Sequence, residues 1–310
     1  MPDFSLRAAA APDRSEVAEL ICVSTNYWYQ RRGAPRTFQS GPESTDVFWQ
    51  VYEALDPGCC VVAENPQTGR LMGSCFYHPR EHHVSLGIMN VHPNYFGRGV
   101  ARALLKFITD FADEHRYGAV RLVSSAMNLD SFSLYTRGGF VPRYAYQDML
   151  MRVPESGLGV EIPDAGRIRP ATPDDVPAMI DLEMEVSGIC REKDYRYFLA
   201  NQIGIWQSLV YQGPAGGIDA FMFSFKHPGL SMVGPGVARA WRQAASLVLA
   251  ALDRYRGGAA LFLVPVECHE MVQRMYALGA TNCELHFCQV RGRFQPFRGL
   301  TMPVFLPESA

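Results

Sequence analysis

The chain repeats itself, and no other feature of the sequence limits its fold so tightly. LRAAAAPDRSEVAEL at 6–20 recurs as IRPATPDDVPAMIDL at 168–182, FGRGVARA at 96–103 as VGPGVARA at 233–240, and LYTRGGF at 134–140 as MYALGAT at 275–281. Three matches in one order point to two units of one plan, and 310 residues suit two compact units of about 150 residues each. The offsets are 162, 137 and 141 residues (168 − 6, 234 − 97, 276 − 135), so the second copy is read as about 25 residues shorter (162 − 137) ahead of its glycine segment. VPESGLGVEIPDAGR at 153–167 has three glycines, two prolines and no apolar period, which suits a linker. The expected division is a first domain at 1–153, a linker at 154–166 and a second domain at 167–310.

Within the first copy, FSLRAAA reads as a strand, and Pro12 and Asp13 open an amphipathic helix carrying Val17, Leu20 and Ile21. Ser44, Thr45 and Asp46 offer caps for a second helix that Pro57 and Gly58 stop. CCVVAEN and LMGSCFYHP flank the turn PQTG as a hairpin, followed by the strand VSLGIMNV at 84–91. Val100, Ala103, Leu104, Phe107, Ile108 and Phe111 fall at i, i+3, i+4, i+7, i+8 and i+11, the clearest helix period in the chain. A strand AVRLVSSA, a short helix LDSFSLYTRG and a closing strand YAYQDMLMRV complete the copy. This order predicts an α/β fold with a central mixed, mostly antiparallel sheet flanked by helices in each copy.

The glycine loop after the strand ending at Val91 places free backbone N–H groups at a helix N-terminus, a site suited to an anion. Gly97 and Gly99 allow close backbone approach, and Arg98 and Arg102 add positive charge. G-x-G alone is weak, since glycines also end strands for steric reasons. The Rossmann form needs a third glycine and an acidic residue about 20 positions on, Walker A needs G-K-[ST], and neither pattern is present.

Strand VSLGIMNVHP, loop FGRGVA, amphipathic helix, strand RLVSSAMN and N-x-x-S-x-x-L-Y-x-x-x-G-F at 128–140 together resemble the GNAT superfamily of acetyl-CoA-dependent N-acyltransferases. The family loop Q/R-x-x-G-x-G/A falls on Phe96, Gly99 and Ala101, with Phe96 in place of Arg or Gln. Its N-x-x-A-x-x-L-Y falls on Asn128, Leu134 and Tyr135, with Ser131 in place of Ala. The resemblance implies acetyl-CoA as cosubstrate, held by Met89, Asn90, Val91, Phe96, Gly97, Arg98, Gly99, Val100, Ala101, Arg102, Asn128, Ser131 and Tyr135. It also implies the backbone N–H of Val91 as oxyanion donor and Tyr135 as the acid for the departing thiolate. By type alone, Tyr135 reads as a packing tyrosine.

No side-chain base is assigned. His82 and His83 are too distant, because eight strand residues from His83 to Val91 span about 26 Å. Gly87 occupies the position, four residues before Val91, where some family members carry a catalytic His or Glu. Asn90, Ser124 and Ser125 could hold a relaying water or simply satisfy backbone groups. His78, His82 and His83 are read as polar residues of an exposed turn, with no metal expected. For the acceptor, the resemblance points to the first two helices and their loop. Tyr27, Trp28, Tyr29 and Arg31 suit a pocket for a small-molecule or peptide amine, with single-stranded nucleic acid or packing against the second copy as other uses of the same residues.

The second copy resembles the divergent C-terminal halves of tandem GNAT proteins. Its segment VGPGVA is read as a glycine loop in which Pro235 removes a donor and Val233 replaces Arg or Gln; His269 replaces the Asn, and Tyr276 matches Tyr135 as a packing tyrosine. Lys plus Arg of 29 against Asp plus Glu of 31 offers no global attraction to nucleic acid or anionic membrane. AASLVLAAL at 244–252 falls short of the roughly 20 apolar residues that span a bilayer, and no signal-peptide layout opens the sequence. The eight cysteines read as reduced, mostly buried thiols. The expectation is a cytoplasmic monomer with an internal pseudo-dimer, transferring acetyl from acetyl-CoA to a primary amine by direct transfer in a ternary complex at one site in residues 1–153. A non-catalytic acyl-CoA-binding or regulatory protein and a protein-interaction scaffold are the alternatives.

Overall fold

The helix period at 100–111 folds as expected because its apolar stripe has a sheet to cover: Val100, Leu104, Leu105, Ile108 and Ala112 are buried. A computed structural model describes residues 3–308. The first copy runs β1 (Ser5–Ala8), α1 (Arg14–Gln30), α2 (Asp46–Leu55), β2 (Cys60–Glu64), β3 (Leu71–Pro79), β4 (His83–Val91), α3 (Val100–Glu114), β5 (Ala119–Ser125), α4 (Leu129–Arg137) and β6 (Val141–Val153). The second runs β7 (Ile168–Pro170), α5 (Val176–Ser187), α6 (Glu192–Ala200), β8 (Trp206–Gln212), β9 (Ile218–His227), β10 (Leu230–Ala238), α7 (Trp241–Leu252), β11 (Gly258–Pro265), α8 (His269–Ala277), β12 (Thr281–Gly292) and β13 (Leu300–Met302).

The two copies share one sheet because each gives its last long strand to the other. Strand order is β1-β2-β3-β4-β5-β12-β6-β11-β10-β9-β8-β7, with β13 on β10. β12 of the second copy lies antiparallel to β5 of the first, from Gly292↔Ala119 to His286↔Ser125. β6 of the first copy lies antiparallel to β11 of the second, from Gly258↔Val153 to Pro265↔Tyr146, and β6 and β12 pair at the centre. The exchange pairs edges that each copy would otherwise expose. Among the described residues the named strands pair in parallel only at β4–β5 and β10–β11, the two equivalent places.

On one face of the sheet, residues of α1, α2, α5 and α6 join in one apolar cluster across both copies. On the other, α3 and α4 cover the first copy and α7 and α8 the second. A buried ionic knot links the copies beneath α2. Arg80 donates to Asp56 (2.9 and 3.0 Å) and through Nε to Asp194 of α6 (3.0 Å), while Asp56 also holds His78 Nδ1 at 2.7 Å and Lys193. Here the structure corrects the exposed-turn reading. His78 and His83 are both buried, because β3 carries His78 against Asp56 and β4 begins at His83 rather than after it.

Candidate functional site

The site begins where β4 and β5 part. They pair at His83↔Ala119, Val84↔Val120 and Ser85↔Arg121, and β4 then continues alone on that edge to Val91. A bulge marks the departure: opposite β3 the register slips between the pairs Cys75↔Met89 and Tyr77↔Leu86, leaving two residues, Gly87 and Ile88, opposite Phe76 alone. Gly87 is obligatory there, since a Cβ would lie 2.9 Å from His78 Nε2 and 3.0 Å from Phe76 Cβ. Beyond the bulge, His92 N–H donates to Met72 O at 2.9 Å. By strand alternation Asn90 also faces β3, and the N–H groups of Met89 and Val91 turn the other way, into the gap left by β5.

The glycine loop stands at the mouth of that gap. Gly97 and Gly99 have φ of +77° and +82°, the left-handed region that side chains resist, and a Cβ on Gly97 would meet nothing within 4 Å. Gly99 caps α3 without any side-chain hydrogen bond, so the first-turn N–H groups of Val100, Ala101 and Arg102 point outward with the helix dipole behind them. Arg98 lies over the Tyr95 ring at 5.6 Å. Phe96 is exposed and packs edge-to-face with Tyr27 at 5.8 Å, while Arg31 lies over the Tyr27 ring at 5.7 Å.

Other predicted residues take structural partners. Asn90 is buried and accepts from Ser24 Oγ at 2.6 Å. Asn128 caps α4 by accepting from Ser131 N–H at 3.2 Å. Tyr135 reaches from α4 into the α3-side core, 5.9 Å from Phe140, and burial pushes its ionisation well up, so the phenol keeps its proton at neutral pH. The predicted acceptor set divides along helical spacing. Tyr27 and Arg31 turn to the glycine loop, and Trp28 lies under Arg32 at 3.9 Å. Tyr29 reaches the exchanged strand, donating to Glu284 Oε2 at 2.6 Å.

That exchanged strand brings in residues sequence reasoning passed over. Glu284 also accepts from Ser125 Oγ at the end of β5, and His286 Nδ1 lies 3.0 Å from Asp148 of β6. Burial lowers the His286 imidazole, but the charges of Asp148 and Glu284 outweigh it and raise its pKa overall. Asp148, Glu284 and His286 bring ligand-type atoms within 4.8 Å of one another, and these atoms are engaged by each other, Tyr29 and Ser125. Glu284 and His286 stand at i and i+2, so a one-face strand pattern was visible. Nothing in sequence placed that face beside β5. Glu308 was missed entirely: the Tyr52 hydroxyl donates to its carboxylate, as does the N–H of Ile88 in the β4 bulge.

The second copy corrects two sequence equivalences. VGPGVA is not a loop but lies within β10, and α7 begins at Trp241 almost directly after it, where the first copy spends residues 92–99 between β4 and α3. The VARA segments therefore occupy different places in the two copies, opening α3 in the first and ending β10 in the second. Likewise α4 and α8 begin at 129 and 269, so Cys268 caps where Asn128 does and Met275 is the counterpart of Tyr135. Phe140 N–H donates to Tyr135 O and Ala280 N–H to Met275 O, in the same register. Tyr276 is therefore no packing tyrosine; it is exposed and donates to Gln147 at 2.6 Å. The second copy's gap is also filled. β10 pairs with β11 at Met232↔Leu261 and then, on the edge opposite β9, with β13 at Gly236↔Met302, Val237↔Thr301 and Ala238↔Leu300.

Residues 25–140 match the Acetyltransferase (GNAT) family. The UPF0157 protein YqkA of Bacillus subtilis (strain 168) is 32% identical over 74 residues, 24% of this chain and 21% of that protein, so the chain spans about a fifth of that relative's length. Among solved structures, a protein from Pyrococcus horikoshii superposes with a TM-score of 0.73 at 14% identity, covering 99% of this chain and 96% of that one. A GCN5-related N-acetyltransferase from Sphaerobacter thermophilus gives 0.65 at 18% identity over 96% and 98%. A tandem GNAT protein from the clavulanic acid biosynthesis pathway gives 0.63 at 16% identity over 93% and 98%. The fold likeness spans both copies and the family match falls on the first, so residues 25–140 carry a domain of the Acetyltransferase (GNAT) family within a chain that has the fold of tandem GNAT structures.

Proposed function

We propose that the protein is an acetyl-CoA-dependent N-acetyltransferase with one site, in the first copy, acting on a primary amine by direct transfer in a ternary complex. The observation that carries this reading is the asymmetry between equivalent gaps. The β4–β5 gap has a free strand edge and a glycine loop at an uncapped helix N-terminus, whereas β13 runs along the matching edge of the second copy. The first-turn N–H groups of α3 suit a pyrophosphate. Val91 N–H, turned into the gap, suits the thioester oxygen as charge develops on it. Tyr135, held protonated, suits the departing sulfur.

Calorimetry with acetyl-CoA should give a stoichiometry near one per chain, and a panel of primary amines should release free CoA thiol. Two molecules per chain, or none, would remove the assignment. Binding without thiol release for any amine would leave a non-catalytic acyl-CoA-binding protein.

A further inference from the structure

We infer that Glu308 is the proton acceptor for the incoming amine, carried into the first copy's gap by the segment that follows β13. The inference rests on the acyl-transfer reading above. β4 itself offers no base along the gap, where it reads Leu86, Gly87, Ile88, Met89, Asn90 and Val91. The bulge glycine has no room for a side chain that would supply one.

The tail supplies the missing carboxylate. After β13 the chain buries Val304 and Leu306 in the core shared by both copies, and Phe305 packs on His286 with ring centroids 4.7 Å apart. Phe305 and Glu308 pair in a short bridge. Tyr52 of α2 pins this turn, its hydroxyl bonding both Phe305 O at 3.0 Å and the Glu308 carboxylate. The N–H of Ile88, in the bulge where β4 leaves β5, donates to the same carboxylate.

Glu308 and Tyr135 thus come to this part of β4 from opposite faces of the sheet. Tyr52 belongs to the α1–α2 cluster and Tyr135 to the α3–α4 cluster, yet Glu308 is near enough for its charge to raise the ionisations of Tyr135 and of Cys75 in β3. Among the described residues, Tyr52, Cys75 and Tyr135 are ionisable side chains that feel the Glu308 charge. Burial pushes the Glu308 carboxyl up to about 8 against the hydrogen bonds of Tyr52, its own N–H and Ile88. Such a group is a stronger base than an ordinary carboxylate and is still ionised in mildly alkaline solution.

In the proposed step the acceptor enters as an ammonium and gives one proton to Glu308. The freed nitrogen lone pair forms the C–N bond to the thioester carbon, and the C–S bond breaks with its electrons on sulfur. The thiolate takes a proton from Tyr135, which regains one from the acylated nitrogen. Glu308 then returns its proton to solvent, leaving amide, CoA thiol and one net proton.

The test compares wild type with Glu308→Gln and Tyr52→Phe, using 2-phenylethylamine, tyramine and glycyl peptides as amines and hydrazine, compared with them at about pH 9, as an acceptor largely neutral there. Glu308→Gln should bind acetyl-CoA as wild type does, lose about 100-fold or more in kcat with the amines, and lose the limb of the pH profile that rises around 8. With hydrazine the loss should shrink to a few-fold, because no ammonium proton has to be removed. Tyr52→Phe keeps the carboxylate but removes a bond to its charged form, so the rising limb should move to higher pH. Glu308→Gln with wild-type turnover and pH profile overturns the inference, as does an equal loss with hydrazine and amines, the mark of a merely structural residue. Wild type that neither binds acetyl-CoA nor releases thiol overturns the acyl-transfer reading and this inference together.

Discussion

Arg80→Met should show how strongly the buried ionic knot holds the two copies together. The Arg80 and Asp56 side chains are each 1% exposed and Asp194 is 4% exposed, so no solvent replaces a lost partner. Met preserves most of the volume, so little of the effect comes from a cavity. Asp56 keeps His78 and Lys193, but Asp194 loses both of its contacts to Arg80, at 3.0 Å to Nε and 2.6 Å to Nη2. Breaking a buried ion pair from one side costs about 3–5 kcal/mol, because an uncompensated charge stays behind. Guanidinium unfolding followed by tryptophan fluorescence should therefore show a loss of that size. The double variant Arg80→Met with Asp194→Asn removes both ends of one pair and should recover half or more of it. Acid titration provides a second readout. Burial pushes Asp56 up, but His78, Arg80 and Lys193 outweigh it and hold its pKa near about 2. A depressed carboxyl stabilises the fold above its unfolded value near 3.8 and loses that contribution as pH falls through about 2. Arg80→Met should flatten this acid dependence. A single variant within 1 kcal/mol of wild type would refute the claim that the knot is a lock.

Three further outcomes follow from the geometry. Gly99→Val forces a β-branched residue into φ +82° at the N-cap of α3, so it should abolish the rise in melting temperature with acetyl-CoA; an unchanged rise would place the ligand elsewhere. Tyr135→Phe should lower turnover by roughly 10- to 1000-fold with little change in acetyl-CoA affinity, while Tyr276→Phe, on an exposed residue, should leave turnover intact; full activity in Tyr135→Phe would return that side chain to packing. Residues 1–153 expressed alone lose β12 from between β5 and β6, so they should self-associate in light scattering; a stable monomer would show that β6 can close against β5 without the second copy.

The duplication, the helix period of α3 and the glycine loop were legible in the sequence because each is a local pattern. Apolar spacing fixes which face of a helix is covered, and paired glycines mark backbone that side chains cannot adopt. Pairing across the sheet left no such mark. Nothing in β6 or β12 announces that each crosses to the other copy, since an antiparallel strand satisfies its hydrogen bonds against either neighbour. The similarity of FGRGVARA and VGPGVARA was misleading for the same reason: the second segment is held in β10 by partners distant in sequence, β9 and β13. Tertiary structure alone also decided the chemistry around the gap. Glu284 and His286 meet Tyr29 and Asp148 through the exchange of strands. Glu308 reaches Ile88 only because Val304 and Leu306 bury their side chains on the way, and a carboxylate more than 200 residues away in sequence (308 − 88 = 220) has no local pattern by which it could be found.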